Sequence, residues 1–268
     1  MFIIDVPYFS LDQIYNSKQV PRWIKLKESK YVIPFRNRAL KIEQQGTRLM
    51  MSCSEQEFYD IWFHYFDLSF DYCESYNNIK QLDGKIKKAA NRSKGIHIIK
   101  QDDFEAYVYA EMVCKVGYDK AIRAMNHISE VCGVKHIQSM REAGRVMWYE
   151  WPTAKMIIDN FDKLKKMGEI NYWLKELCEA VADNDENYKR EENDLYKLFA
   201  KHDLHVFPIN EIDELLAKNF ECIPNEFADW YLYDIKEKGL VYMYILHNKM
   251  NPPRKVMEAT SRGVNRFY

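Results

Sequence analysis

The apolar residues of this chain change their period at Ser54, and that change limits what the chain can fold into. Before Ser54 the repeat is two. Leu40 and Ile42 alternate with Lys41 and Glu43, residues 44–46 (QQG) carry a turn signal, and residues 47–52 (TRLMMS) resume the run. Alternation puts one face of a strand in a core and the other in water, so residues 31–52 are predicted to be antiparallel strands joined by a hairpin turn. After Ser54 the repeat is helical. Ser54 followed by Glu57 is a capping box, and Phe58, Ile61, Trp62 and Tyr65 fall on one helical face. Residues 80–92 are polar and basic and read as a helix and loop. Beyond Gln101 helical stripes dominate: Ala121, Met125, Ile128 and Cys132; Leu174, Leu177, Cys178 and Val181; Ile212, Leu215 and Leu216. Each stripe reads as core. Two prolines, Pro252 and Pro253, stop the last helix. Strands first and helices after give an α+β architecture.

An apolar content of 47% with 15% aromatic residues in 268 positions is ample for a packed interior, as one large domain or two to three smaller ones. The net charge of −1 excludes a globally basic protein, so any nucleic-acid surface has to be a local patch of Lys and Arg. The acidic segment 181–194 (VADNDENYKREEND) balances the basic segment 85–94 (KIKKAANRSK). The six cysteines, Cys53, Cys73, Cys114, Cys132, Cys178 and Cys222, form no CxxC pair and read as structural thiols. The seven histidines lack metal spacing, and there is no GxGxxG or GxxxxGK[ST] phrase, so neither metal nor cofactor is expected. His202 and His205 read as makers of local hydrogen bonds. With no signal-peptide pattern and no apolar run near the ~20 residues of a membrane span, a cytoplasmic protein is expected.

Five segments carry a resemblance. Residues 11–23 (LDQIYNSKQVPRW), 46–72 (GTRLMMSCSEQEFYDIWFHYFDLSFDY), 95–112 (GIHIIKQDDFEAYVYAEM), 196–210 (YKLFAKHDLHVFPIN) and 239–249 (GLVYMYILHNK) occur in order across nearly the whole chain. They resemble phrases of the 8-oxoguanine DNA glycosylase superfamily: LxxTLxSGQxFRW, the YFDL…DY end of the sheet domain, the QDPxE helix opening, LLFGLxKLDAFPVD and GYAQQYLFHY. The resemblance implies an N-terminal antiparallel sheet packed on two mainly α-helical subdomains, with a DNA lesion site in the cleft between them. The expected divisions are 1–92 for the sheet domain, 93–249 for the helical domain and 250–268 for a basic tail carrying Arg254, Lys255, Arg262 and Arg266.

The functional positions depart from that pattern. The superfamily's helix-hairpin-helix holds a DNA phosphate on a Gly-rich loop and supplies a Schiff-base Lys. Counting back from the FPVD-like phrase, that Lys falls on Glu191, and the loop falls on residues 185–190 (DENYKR), which contain no Gly. Lys189 and Arg190 are candidates for a phosphate contact. The FPVD Asp becomes Asn210, which keeps an N-cap but brings no charge. Glu191 and Glu211 are the candidate carboxylates for N-glycosidic chemistry. The resemblance places the base pocket at Lys18, Gln19, Tyr242 and Leu246, where the superfamily has a Gly, an amide and a stacking Phe among its contacts. It places the gap-filling residues at Lys115 to Gly117, with Tyr118 as a stacking wedge and Lys120 and Arg123 beside the strand. A second basic cluster holds Lys85, Lys87, Lys88, Arg92 and Lys94.

These residues predict a glycosylase-like enzyme acting on double-stranded DNA as a monomer. It would flip a modified base, other than 8-oxoguanine and of the phage pyrimidine kind, and leave an abasic site, in repair or phage defence. The alternatives are an amino-acid or polyamine transferase acting on pyrophosphorylated hydroxymethyl-thymine, or a non-catalytic DNA-binding relative.

Overall fold

The structure is a computed structural model that describes residues 1–82, 84–140, 144–164, 172–183, 194–206, 208, 232 and 235–253. Five strands form one antiparallel sheet in the order β1-β5-β4-β3-β2: β1 (Phe2–Asp5), β2 (Ile24–Lys27), β3 (Lys30–Phe35), β4 (Arg38–Gln45) and β5 (Arg48–Met51). The turn predicted at residues 44–46 closes at Gly46, whose φ of 62° suits the residue without a side chain. Leu40 and Ile42 face inward as their alternation requires.

A helix in three pieces follows: α2 (Glu55–Glu57), a wide π-helical turn (Phe58–Trp62) and α3 (Phe63–Tyr65). Ser54 Oγ accepts from Glu57 N at 3.1 Å, but the Glu57 carboxylate accepts from Trp62 Nε1 instead of returning to the cap. The capping box is therefore half made. Phe58, Trp62 and Phe66 fill the first core with α1 (Leu11–Asn16) and the inner sheet face, Tyr31, Ile33, Leu40 and Ile42.

The second core is helical. It packs α4 (Tyr72–Ile79), α5 (Gly84–Arg92), α6 (Asp103–Val116), α7 (Tyr118–Cys132), α8 (Ala154–Asp159), α9 (Phe161–Leu164), α10 (Tyr172–Ala182), α11 (Asp194–Phe199) and α12 (Lys238–Met250). Apolar packing thus divides between Phe66 and Tyr72, ahead of the boundary at 92 drawn from the sequence. The stripes on α7 and α10 lie in this core; the stripe Ile212, Leu215 and Leu216 lies outside the described residues.

One element is not helical as the sequence suggested. β6 (Lys135–Met140) and β7 (Gly144–Tyr149) form a separate antiparallel hairpin. Its inner face sets Val146 against Val32, beside Ile24, Leu26 and Ala39, on the outer face of the sheet. Covering that face buries β3 on both sides from Lys30 to Pro34.

Candidate functional site

The residues between α1 and β2 bind the sheet domain to the helical body. α1 stops at Asn16 because Ser17 turns its hydroxyl back to Ile14 O at 2.6 Å and Lys18 enters the left-handed region, φ 59°. The residues that follow are then held by α6, α7, β7 and the segment before α6. The Tyr109 hydroxyl of α6 donates to Lys18 O. Lys18 Nζ reaches Asp119 Oδ1 of α7 at 2.5 Å. Gln19 Nε2 donates to His97 O at 2.8 Å and to Ser17 Oγ at 3.0 Å, while its Oε1 accepts from Ile99 N at 2.7 Å. Asn126 Nδ2 of α7 donates to Pro21 O at 2.9 Å. Arg22 forms a two-point pair with Glu105 of α6 and donates to Tyr149 O of β7 at 2.8 Å.

Gly117 separates α6 from α7, with φ 77° and open space where a Cβ would stand. The break aims the start of α7 at Lys18. Lys18 and Arg123 hold the Asp119 carboxyl below its usual range, the Lys18 hydrogen bond foremost. Behind the break Tyr118 is buried, its hydroxyl 3.3 Å from that of Tyr242 on α12, and its ring lies edge-on to Tyr109. The Tyr118 wedge expected from the sequence is thus a core side chain: the first turn of α7 points it at α12, not at solvent. Leu246 sits one turn beyond Tyr242 in the same core. Lys18 and Tyr242 thus meet neighbouring residues of α7, Asp119 and Tyr118. The Gln19 amide instead spends its donors and its acceptor inside the protein.

A model for the 8-oxoguanine DNA glycosylase N-terminal domain matches residues 1–107. The rest of the chain is not covered by that model, but the chain as a whole has the fold of solved 8-oxoguanine DNA glycosylases. The 8-oxoguanine glycosylase/lyase of Clostridium acetobutylicum, in its apo form, superposes with a TM-score of 0.76 at 20% identity, over 91% of this chain and 95% of its own. The protein MBOgg1, solved with a low-affinity DNA ligand, gives 0.78 at 18% identity over 91% and 93%. The 3-methyladenine DNA glycosylase of Archaeoglobus fulgidus gives 0.69 at 13% identity over 94% and 100%. No curated protein sequence matches.

Within this superfamily fold a second polar cluster joins the two cores. Asp67, itself left-handed (φ 51°) and buried, accepts from Lys100 Nζ at 2.7 Å, His202 Nε2 at 2.6 Å and the Tyr72 hydroxyl at 2.9 Å. Its carboxyl lies below the usual range because the bonds and charges of His202 and Lys100 outweigh burial. His202 therefore reaches across the fold and does not bond locally as its sequence position suggested. The His205 backbone does bond locally, to Asp203 Oδ1.

The basic residues are distributed over several elements. Lys115 is exposed, pairs with Glu111 at 3.2 Å and covers the Trp173 ring. Lys120 and Arg123 are exposed on the first turns of α7, and Lys85, Lys87 and Lys88 on α5. Arg92 donates to Asn251 O, and Lys94 lies 4.3 Å over Tyr8. Glu191, Asn210, Glu211, Lys189, Arg190 and the basic tail lie outside the described residues. Among the described residues no helix is long and apolar enough to cross a membrane, and no three His, Cys, Asp or Glu group as metal ligands. Sequence reasoning missed Tyr109 and Asp119, which fix Lys18. A tyrosine within the buried run of α6 and an exposed aspartate at the start of α7 carry no pattern of their own.

Proposed function

We propose that this protein is a DNA glycosylase-like enzyme that draws a modified base out of duplex DNA and hydrolyses its N-glycosidic bond, leaving an abasic site. One observation carries the reading. Lys18 and Tyr242, at the positions the resemblance assigns to base contact, converge on the start of α7 through Asp119 and Tyr118. A lysine and a tyrosine there replace a small residue and an amide, which argues against 8-oxoguanine and for another base, a modified pyrimidine. Lys120 and Arg123 beside them supply cations for the phosphates. Glu191 and Glu211 are the candidates to activate water or to stabilise the cationic sugar, and Asn210 to cap the helix that follows it.

The test is incubation with genomic DNAs that carry different modified bases, with released base and abasic sites measured. Release from one DNA class names the substrate, and Glu191→Gln should then abolish release. A nucleoside adduct formed with added amines would favour group transfer instead. Salt-sensitive binding without any product would leave a DNA reader.

A further inference from the structure

We propose that α5 and the turns beside it form a DNA-docking surface separate from the base pocket, where lysines hold the phosphate backbone of duplex DNA without reading its sequence. The proposal rests on the reading that this protein acts on duplex DNA.

α5 is held on the protein by its apolar face. Ile86, Ala89 and Ala90 are buried in the second core. The other face carries Lys87, Lys88 and Asn91, with Lys94 following, all exposed. The charges on this face work against the helix. Its first turn has no acidic residue and holds Lys85 and Lys87, where the helix dipole favours anions. Lys88 and Arg92 stand four apart, an unfavourable spacing for like charges. On other elements the cations are neutralised: Lys18 by Asp119, Lys30 by Glu43, Lys100 by Asp67 and Lys115 by Glu111. Among the described residues none of Lys80, Lys87, Lys88, Arg92 and Lys94 pairs with a carboxylate. α4, packed beside α5, carries Glu74 in its first turn, at the far end from Lys80. Arg92 donates to Asn251 O at 2.6 Å, and Lys80 and Lys94 lie 5.5 Å and 4.3 Å over the rings of Tyr76 and Tyr8.

The chemistry of the patch selects its occupant. Lysines that nothing neutralises, in a chain of net charge −1, suit a polyanion. A lipid surface would need apolar groups beside the cations, and the outward residues of α5 are Lys87, Lys88 and Asn91. A single strand would need open aromatic faces for its bases, and Lys80 and Lys94 cover those of Tyr76 and Tyr8. The backbone of a duplex fits: lysines meet its phosphates as point charges, and the contact carries no sequence information. α12 separates this surface from the base pocket. Tyr242 meets Tyr118 of α7, whereas Asn248, on another side of α12, donates to Ala89 O at 2.8 Å and to Ser93 Oγ at 3.0 Å.

The experiment uses the full chain and an unmodified fluorescent duplex, with affinity read by anisotropy over a range of salt concentrations. Lys87→Gln combined with Lys88→Gln should make the plot of log affinity against log salt shallower by about 1.8, the counterions of two phosphates. Lys155→Gln combined with Lys163→Gln removes as much charge from exposed positions on α8 and α9 and should keep the parent slope. Matching thermal midpoints show that both variants fold. A parent slope in the α5 variant overturns the proposal. So does an equal fall in both variants, which would make the effect one of net charge. Binding of phosphatidylserine vesicles that the α5 variant loses, with its DNA slope unchanged, overturns it in favour of a lipid surface. A parent that releases base from DNA while the α5 variant keeps the parent slope leaves the glycosylase reading standing. A parent that binds no duplex removes both.

Discussion

Arg22 closes on Glu105 from 83 positions away, Nε to Oε1 at 2.5 Å and Nη2 to Oε2 at 2.6 Å, with both side chains buried. The pair lies between the sheet domain and α6, and Arg22 also tethers the β6–β7 hairpin through Tyr149 O.

Removing one partner of a buried pair leaves the other charge without compensation. Glu105→Ala should therefore destabilise the protein by about 3–5 kcal/mol. Arg22→Met combined with Glu105→Leu should cost less than Glu105→Ala alone. Urea unfolding of the variants checks the order. Equal losses would mean that the pair is solvated.

Two buried histidines predict acid lability. Burial pushes His97 and His247 down to about 4 from an ordinary value of 6.5. Their folded pKa lies below the unfolded one, so their contribution is complete above 6.5 and is lost as pH falls toward 4. Each adds a slope of up to about 1.4 kcal/mol per pH unit across that window. The lowered pKa of Asp67 extends the loss to lower pH, since its contribution also disappears as the carboxylate protonates. His247→Gln should flatten the branch between pH 6.5 and 4 by one proton. Urea midpoints measured from pH 7 to 4 decide it, and superimposable branches would refute the assignment.

Lys18 permits a test of strain separate from base contact. Lys18→Gly relieves the left-handed backbone and loses an exposed ion pair, so stability should stay within about 1 kcal/mol of the parent or rise. Lys18→Val keeps the strain, adds a branched side chain to it and loses the pair, and should be clearly less stable. Thermal midpoints of both variants check this. A Gly variant that melts well below the parent would show that Lys18 is held for stability.

The parts of this molecule that were legible in sequence are those with one buried and one wet face. β4 alternates, and α7 carries a clean stripe, Ala121, Met125, Ile128 and Cys132. The hairpin was not legible. Each of its strands alternates, yet Ile137 and Met147 are exposed while Val146 and Trp148 are buried, so the apolar residues do not mark one face. β3 is a strand as its segment predicted, but its second face is covered by the far-downstream β6–β7 hairpin, which no local pattern announces. At the site, the positions of Lys18 and Tyr242 came from the resemblance. Which of their neighbours hold them, Tyr109, Asp119 and Tyr118, depended on the break at Gly117, which turns the start of α7 toward α1 and α12.

That hairpin depends on Gly133. The residue ends α7, its N–H donating to Ser129 O at 2.8 Å, and Glu150 N then donates to Val134 O at 3.0 Å to close the base of the ribbon. A Cβ at Gly133 would stand 2.1 Å from Glu150 O and 2.5 Å from Ser129 O. Both are backbone atoms, so neither can swing aside without moving β7 or the last turn of α7. Gly133→Ala should therefore destabilise by on the order of 3 kcal/mol, at the upper end for overpacking. The loss should be local first. Trp148 and Val146 would lift from the sheet, uncovering Val32, and residues 135–149 would exchange amide hydrogens faster than the first core. Hydrogen exchange resolved by peptide measures this. Protection of the hairpin equal to that of the parent would show that the ribbon docks without the close approach at Gly133.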